Sequence, residues 1–252
     1  MKHIIYYKNL IAICALLVVG FGCKQDKNPL APEGPNGRSV GSSARELLSD
    51  AVFNSIIVEI HYMPGMKPAD GTVSSLKDFI ANHVNKSGTI NVVSSQIPSG
   101  GKSVYSIGDV NNIEKNYRTR FNEGNTVAVH FLFLDGAYEE RNVLGIAYKN
   151  TSLCIFERTI QDNSGGLLQP SVAKLETTVV NHEFGHILGL VDVGSPMQTA
   201  HKDTQHGNHC NNSGCLMYYQ VETTDFVANL ANSPVPSLDM NCRGDLRANG
   251  GR

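Results

Sequence analysis

Hydrophobic and polar positions along residues 44–190 follow a pattern that predicts strands and helices in turn. Alternating or continuously apolar β-branched segments predict strands, and apolar residues spaced three and four apart predict amphipathic helices. In chain order we expect strand 55–62, helix 73–84, strand 89–97, helix 110–121, strands 126–134, 143–148 and 152–157, and a long helix over about 171–190. This order is typical of an α/β fold with a mostly parallel sheet.

The N-terminal segment has a different pattern from the rest of the chain. Two basic residues, Lys2 and Lys8, precede an apolar run over residues 10–21, which is too short to cross a bilayer comfortably and suits a signal peptide. The run ends in Gly-Phe-Gly and Cys23, which resembles a bacterial lipoprotein signal. That resemblance implies cleavage after residue 22, lipid attachment to Cys23 and an extracytoplasmic location on the periplasmic or cell-surface side of a bacterial (outer) membrane. A plain secretory signal and an uncleaved anchor remain the alternatives.

Composition indicates how the rest of the chain divides into a tether, a folded domain and a tail. Residues 23–44 are rich in Pro, Gly, Asn and Ser, which is typical of a flexible tether. One folded domain is then expected over residues 45–245, followed by a short tail over 246–252. The formal net charge of −2 gives no electrostatic reason to expect a nucleic-acid partner. We expect a monomer.

The long helix carries the candidate chemistry. His182 and His186 are four residues apart, so they project from one face of a helix toward one point, as two ligands of a tetrahedral zinc ion require. Glu183 is offset by one residue, where it can act as general base toward a water activated by the metal. A buried helix that contains the same five residues by chance is the alternative, and the apolar context and Gly189 argue against it.

The wider motif resembles that of the metzincin clan of zinc metallopeptidases. The string HEFGHILGLVD contains Gly189 and ends in Asp192, the place of the third zinc ligand, and Met217 resembles the methionine of the clan's Met-turn. A glycine at 189 can end the helix in a left-handed turn. The resemblance implies a zincin-like α/β domain, with a mostly parallel twisted sheet, an active-site helix and a C-terminal subdomain that contains the Met-turn.

The third zinc ligand has two candidates. The spacing of His209, Cys210, Cys215 and Met217 is similar to the archaemetzincin signature, in which a histidine before the first cysteine binds zinc. That resemblance implies His209 as the ligand and residues 194–208 as an insertion. Histidine is the better zinc ligand, while Asp192 has the simpler geometry, and His209 is favoured. His201 and His206 are expected to lie at the surface or behind the ligands.

Four cysteines remain after the signal and the lipid site are removed. In an exported protein an even number predicts disulfides, and spacing favours a Cys210–Cys215 loop with Cys154–Cys242 as a longer bridge. A second zinc site is the alternative. In archaemetzincins a later CxxC pair helps hold such a zinc, whereas here only Cys242 follows.

Two further features bear on substrate and chemistry. By resemblance to the astacin and serralysin branches, Tyr219 would stabilise negative charge in the transition state, although a packed aromatic residue is an equal alternative. Strand 143–148 stands where the clan has an antiparallel edge strand, which can bind an extended peptide. The sequence thus predicts an extracytoplasmic zinc metalloendopeptidase acting on proteins or peptides. A non-catalytic zinc-binding surface lipoprotein and a zinc amidase with a non-protein substrate are the alternatives.

Overall fold

The structure is a computed structural model that describes residues 34–252. The predicted signal peptide and Cys23 lie outside these residues. The strands are β1 (Ser55–Tyr62), β2 (Ile90–Gln96), β3 (Val104–Tyr105), β4 (Thr126–Phe133), β5 (Ala137–Tyr138), β6 (Gly145–Lys149) and β7 (Ser152–Ile155). The α-helices are α1 (Ala44–Leu48), α2 (Asp70–His83), α3 (Ile107–Tyr117), α4 (Glu157–Asp162), α5 (Val172–Ile187), α6 (Val227–Ala231) and α7 (Met240–Ala248).

A five-stranded sheet in the order β2-β1-β4-β7-β6 forms the centre of the domain. The pairs β1–β2, β1–β4 and β4–β7 are parallel, whereas β6 is antiparallel to β7 and forms one edge. The α/β class and the mostly parallel sheet are therefore confirmed, and so is the antiparallel edge strand. Strands β3 and β5 form a separate parallel ladder of two residues each, which was not predicted because so short a segment has no periodicity.

Helices α2 and α5 pack on one face of the sheet, where they bury an aromatic cluster. Phe184 of α5 lies edge-on to Phe79 of α2, with 6.3 Å between ring centroids, and 6.0 Å from Phe131 of β4. Helix α3 covers the other face through Glu114, whose carboxylate lies 3.9 Å from His130 of β4. This packing fixes α5 against β6 and β7, the side of the sheet at which the candidate chemistry lies.

Residues at each end of helix α5 explain where it begins and ends. The Ser171 side chain accepts a hydrogen bond from the backbone N–H of Lys174, which caps the first turn. At the other end Gly189 has φ +80°, and a β-carbon there would meet the backbone of Ser195 at 2.5 Å. Only glycine fits both the left-handed conformation and the close approach of the next segment.

The folded part reaches beyond residues 45–245 at both ends. Asn36, in the segment expected to be a tether, is buried and donates to Asn122 at 2.8 Å and to the hydroxyl of Thr151 at 3.2 Å. At the C-terminus α7 extends to Ala248, and the backbone N–H of Arg252 donates to the carbonyl of His83 at 3.0 Å. The polar composition of these segments predicted a tether and a tail. Composition does not distinguish a polar residue such as Asn36, which bonds to distant parts of the chain, from one that is solvated. Among residues 34–252, no helix has the length and apolar character needed to cross a membrane.

Candidate metal centre

The C-terminal half of α5 brings His182 and His186 together in the core. Both imidazoles are buried, and their Nε2 atoms lie 3.1 Å apart. The two rings meet edge-on with 4.8 Å between centroids. The helical spacing therefore produces the convergence that the sequence predicted.

His209 completes a cluster of three imidazoles. Its ring stacks on that of His182 with 5.4 Å between centroids, and it lies edge-on to His186 at 5.1 Å. His209 comes from the irregular segment between α5 and Met217, so its place depends on the fold of residues 188–209 rather than on a helix.

Backbone carbonyls orient two of these rings. Nδ1 of His182 lies 2.7 Å from the carbonyl oxygen of Leu216, and Nδ1 of His209 lies 2.7 Å from that of His206. A carbonyl oxygen only accepts hydrogen bonds, so each Nδ1 carries the proton and each Nε2 presents its lone pair to the cluster. This is the arrangement in which histidine binds a metal ion.

Zinc fits this donor set. Nitrogen ligands about 2.0–2.1 Å from a tetrahedral zinc lie about 3.3 Å from one another, close to the 3.1 Å between the Nε2 atoms of His182 and His186. Nε2 of His209 is buried and makes no hydrogen bond with residues 34–252. Burial, and then the neighbouring imidazoles, hold the pKa of His186 well below its usual value, which keeps it in the neutral form that a metal requires.

Glu183 directly follows His182 in α5. Its carboxylate is buried, and neither oxygen makes a hydrogen bond to residues 34–252. Burial, and then the negative charge of Glu222, raise the pKa of Glu183 well above its usual value. A buried carboxylate with both lone-pair faces open is suited to hold and release a proton.

Glu222 is a site residue that the sequence reasoning missed. Its Oε2 lies 3.6 Å from Nε2 of His182, and its Oε1 lies 3.4 Å from Nε2 of His209. Burial acts to raise the pKa of Glu222, but the two imidazoles beside its carboxylate outweigh this effect and lower the pKa below its usual value. Glu222 follows Met217 by five residues, in a stretch without hydrophobic periodicity, so only the fold brings it to the cluster.

Met217 packs against α5 at Gly185, one residue before His186. It is fully buried, and a β-carbon at Gly185 would overlap its Sδ atom. The residue before it, Leu216, supplies the carbonyl that orients His182. The turn that contains Met217 thus packs against α5 and orients the His182 ring at the same time.

Asp192 and Tyr219 lie outside the histidine cluster. Asp192 follows Gly189 in the left-handed region, with φ +71°, and its half-exposed carboxylate lies 3.6 Å from Nζ of Lys202. The ring of Tyr219 stacks on His206 at 3.6 Å, with the two planes 2° apart. Of the two predicted third ligands, the structure brings His209 to the cluster, and it packs Tyr219 against the loop that carries His209.

Three cysteines form a second cluster next to the first. Sulfur atoms of Cys210, Cys215 and Cys242 and a carboxylate oxygen of Asp239 lie within 4.8 Å of one another. Nε2 of His201 borders this group, 3.5 Å from the Cys242 sulfur. Hydrogen bonds from Cys210 and Cys242 lower the pKa of the Cys215 thiol, which favours its thiolate form. Thiolate and carboxylate donors in this number suit a zinc ion.

The two predicted disulfides are not formed, since all four cysteines of residues 34–252 are free. Cys154 is buried in β7 and lies outside the cysteine cluster, while the Cys242 sulfur is 3.6 Å from that of Cys215. Sequence spacing suggested pairs, but a group of three around one point leaves the fourth cysteine as a core residue. His201, expected at the surface or behind the catalytic ligands, is buried beside this second cluster instead.

Comparison with known proteins yields similarity to solved structures but no match in sequence. No protein-family model matches the chain, and no curated protein matches it in sequence. Among solved structures, the chain is similar to archaemetzincin from Methanopyrus kandleri, with 12% identity and a TM-score of 0.49, over 78% of this chain and 96% of that one. The roles assigned below rest on the geometry of this chain.

Proposed function

We propose that the chain is a zinc-dependent metallopeptidase that cleaves peptide bonds of proteins or peptides outside the cytoplasm. The observation that carries the proposal is the convergence of ligand nitrogens from three histidines, together with the unpartnered carboxylate of Glu183 between His182 and His186 on the same helix. A purely structural metal site needs no such carboxylate next to it, because a general base serves a reaction and not the binding of an ion.

His182, His186 and His209 would hold the metal, and Glu183 would move the proton. Zinc, when bound there, supplies Lewis-acid activation of water and of the substrate carbonyl. Glu183 takes a proton from the attacking water and later delivers it to the leaving amine. The buried, unpartnered carboxylate supports both steps, since neither oxygen must first break a hydrogen bond with residues 34–252.

The edge strand β6 supplies a surface for the substrate backbone. It pairs with β7 on one side only, so its other edge can add an extended peptide through main-chain hydrogen bonds. Gly145, its first residue, lies next to Glu183. A peptide bound along β6 would therefore pass close to the general base.

The cysteine cluster would hold a second zinc ion with a structural role. Cys210, Cys215 and Cys242 offer three sulfur ligands, and Asp239 faces the fourth position. A closed set of protein ligands is typical of structural zinc. Such an ion would fasten α7 to the segment that carries His209.

The N-terminal pattern supports export and lipid attachment at Cys23. Under this proposal the domain stands on the outer side of a membrane, with substrates in the same compartment. Labelling with a radioactive fatty acid tests this point: the wild-type chain incorporates the label and Cys23→Ser does not. Equal labelling of the two would contradict the proposal.

Substitution of Glu183 tests the reaction. Glu183→Gln should keep the zinc content of the histidine cluster while casein cleavage falls by at least about a hundredfold, the usual scale for a lost general base. Glu140→Gln, an exposed glutamate, is the control and should cleave as wild type does. Undiminished cleavage by Glu183→Gln would reject the mechanism. Zinc binding without cleavage of any peptide by the wild type would favour a non-catalytic protein or an amidase.

A further inference from the structure

We propose that Glu222 is a displaceable fourth ligand that closes the histidine site in the resting protein. The inference rests on the proposed function, because it concerns the same zinc ion. It assigns a regulatory step to a carboxylate that the catalytic scheme above does not use.

The position of Glu222 carries the argument. Its two oxygens face two different histidines, at 3.6 Å from Nε2 of His182 and 3.4 Å from Nε2 of His209. One of its oxygens and the ligand nitrogens of all three histidines lie within 4.8 Å of one another. The carboxylate thus occupies the one side of the cluster that His182, His186 and His209 leave open to a fourth donor.

The backbone of Glu222 is fixed while its side chain has room to move. The Glu222 carbonyl accepts from the Leu144 N–H at 2.8 Å, and Thr223 forms an antiparallel bridge with Val143. The side chain is 27% exposed, whereas that of His182 is fully buried. A rotamer change of one residue can therefore withdraw the carboxylate without moving the histidines or the sheet.

Movement of the Glu222 carboxylate away from the cluster would open a coordination position for water. Catalytic zinc sites keep a position open for water, while sites with four protein ligands are closed. Glu222 in the fourth position would exclude the attacking water and place a second negative charge near Glu183. Hydrolysis would then require Glu222 to leave.

The same contacts connect the carboxylate to the substrate surface. Residues 142–144, which lead into β6, are bonded to Glu222 and to the two residues after it: Leu144 donates to Glu222, and Thr224 donates to the Asn142 carbonyl at 2.9 Å. A peptide that adds to β6 would contact the strand on which Glu222 is anchored. Substrate arrival and opening of the metal site would thus occur at one place.

Cobalt substitution tests this inference without reference to turnover. Co²⁺ in place of zinc reports its ligands through visible absorption. In wild type we expect a spectrum that does not change when acetate or azide is added, because Glu222 occupies the fourth position. In Glu222→Ala the same anions should bind and change the spectrum, and the Kd for zinc should rise by at least about tenfold, the scale seen even for outer-shell partners of a metal. Residues Tyr219–Glu222 form a short 3-10 helix, and Gln220→Ala within it is the matched control and should resemble wild type.

Three outcomes separate the possibilities. If wild type and Glu222→Ala show identical anion responses and zinc affinities, Glu222 is not a ligand, and the proposed peptidase stands without it. If Glu222→Ala binds zinc with wild-type affinity but loses casein cleavage, Glu222 carries protons and the closing role is rejected. If the wild type binds no Co²⁺ and a His186→Ala variant is indistinguishable from it, the proposed function itself fails.

Discussion

Gly145 of β6 and Glu183 of α5 are in direct contact across the sheet–helix interface. A β-carbon on Gly145 would lie 2.9 Å from Cγ of Glu183 and 2.7 Å from a methyl group of Val179. The absence of a side chain at Gly145 therefore makes room for Glu183, the proposed general base. It also lets the edge strand approach the helix that holds the metal ligands.

A methyl group at this position should impair the reaction more than the fold. In Gly145→Ala we expect kcat to fall by about tenfold or more, because a 1 Å displacement of a catalytic group can cost up to about a hundredfold, while zinc content stays at the wild-type level. Gly108→Ala, where a β-carbon would have only a distant neighbour at 3.6 Å, is the control. A normal kcat in Gly145→Ala would show that Glu183 tolerates the displacement.

The third ligand can be identified by comparing two variants. His209→Ala should lose the zinc of the histidine cluster, because its Nε2 faces the other two imidazoles. Asp192→Ala should retain it, because Asp192 pairs with Lys202 at half-exposed positions outside the cluster. Zinc content and casein cleavage, measured on both proteins, should fall only in the first. Loss of zinc in Asp192→Ala alone would reverse the assignment.

Much of the α/β frame and two of the ligands could be predicted from the sequence. Strand β1 was predicted with the bounds that the structure shows, because its residues are β-branched and partly alternate between apolar and polar. His182 and His186 were found because a regular helix converts sequence spacing into spatial proximity. Sequence spacing does not predict the positions of Glu222 and His201 in the same way. Glu222 ends a single short 3-10 turn and His201 lies in irregular backbone, where spacing does not fix the direction of a side chain. The cysteines are a similar case. Their even number and spacing suggested two disulfide pairs, and only the fold shows that three of them cluster.

The cysteine cluster predicts a second metal ion that is independent of the catalytic one. Wild type should bind close to two zinc ions per chain, and Cys215→Ser should bind about one and unfold at a lower temperature, since structural zinc contributes directly to folding. Cys154→Ser is the matched control, because this buried cysteine lies in β7 outside the cluster. Equal zinc content in both variants would argue against a metal at the cysteines.

Two buried glutamates predict how stability depends on pH. Glu157 of α4 and Glu176 of α5 are both buried, and Glu157 Oε2 and Glu176 Oε1 bond to no other group of residues 34–252. Burial, and then the Glu176 charge, raise the pKa of Glu157 from 4.5 to about 9. A group with a raised pKa stabilises the fold fully below its unfolded value and loses that contribution as pH rises through the folded value.

Thermal unfolding should therefore show a Tm that falls between pH 5.5 and 9, measured with excess zinc present. Each kcal/mol lost lowers Tm by about 2–4 °C in a chain of this size. Glu157→Gln, which resembles the protonated form, should flatten the curve, whereas the exposed Glu140→Gln should not. A Tm profile of Glu157→Gln parallel to that of wild type would exclude the pair as its cause.

His209 and Cys210 are consecutive residues, one in each cluster. A side chain that must meet two helical histidines from a loop would ordinarily sample many orientations, and ordering it costs conformational entropy. Here its neighbour in the chain is held by a group of buried sulfur atoms, so much of that ordering is complete before His209 meets the other two imidazoles. The orientation of His209 thus depends on a buried group one peptide bond away. Under the proposed function, damage to those thiols would slow hydrolysis while the three histidines and Glu183 remained chemically intact.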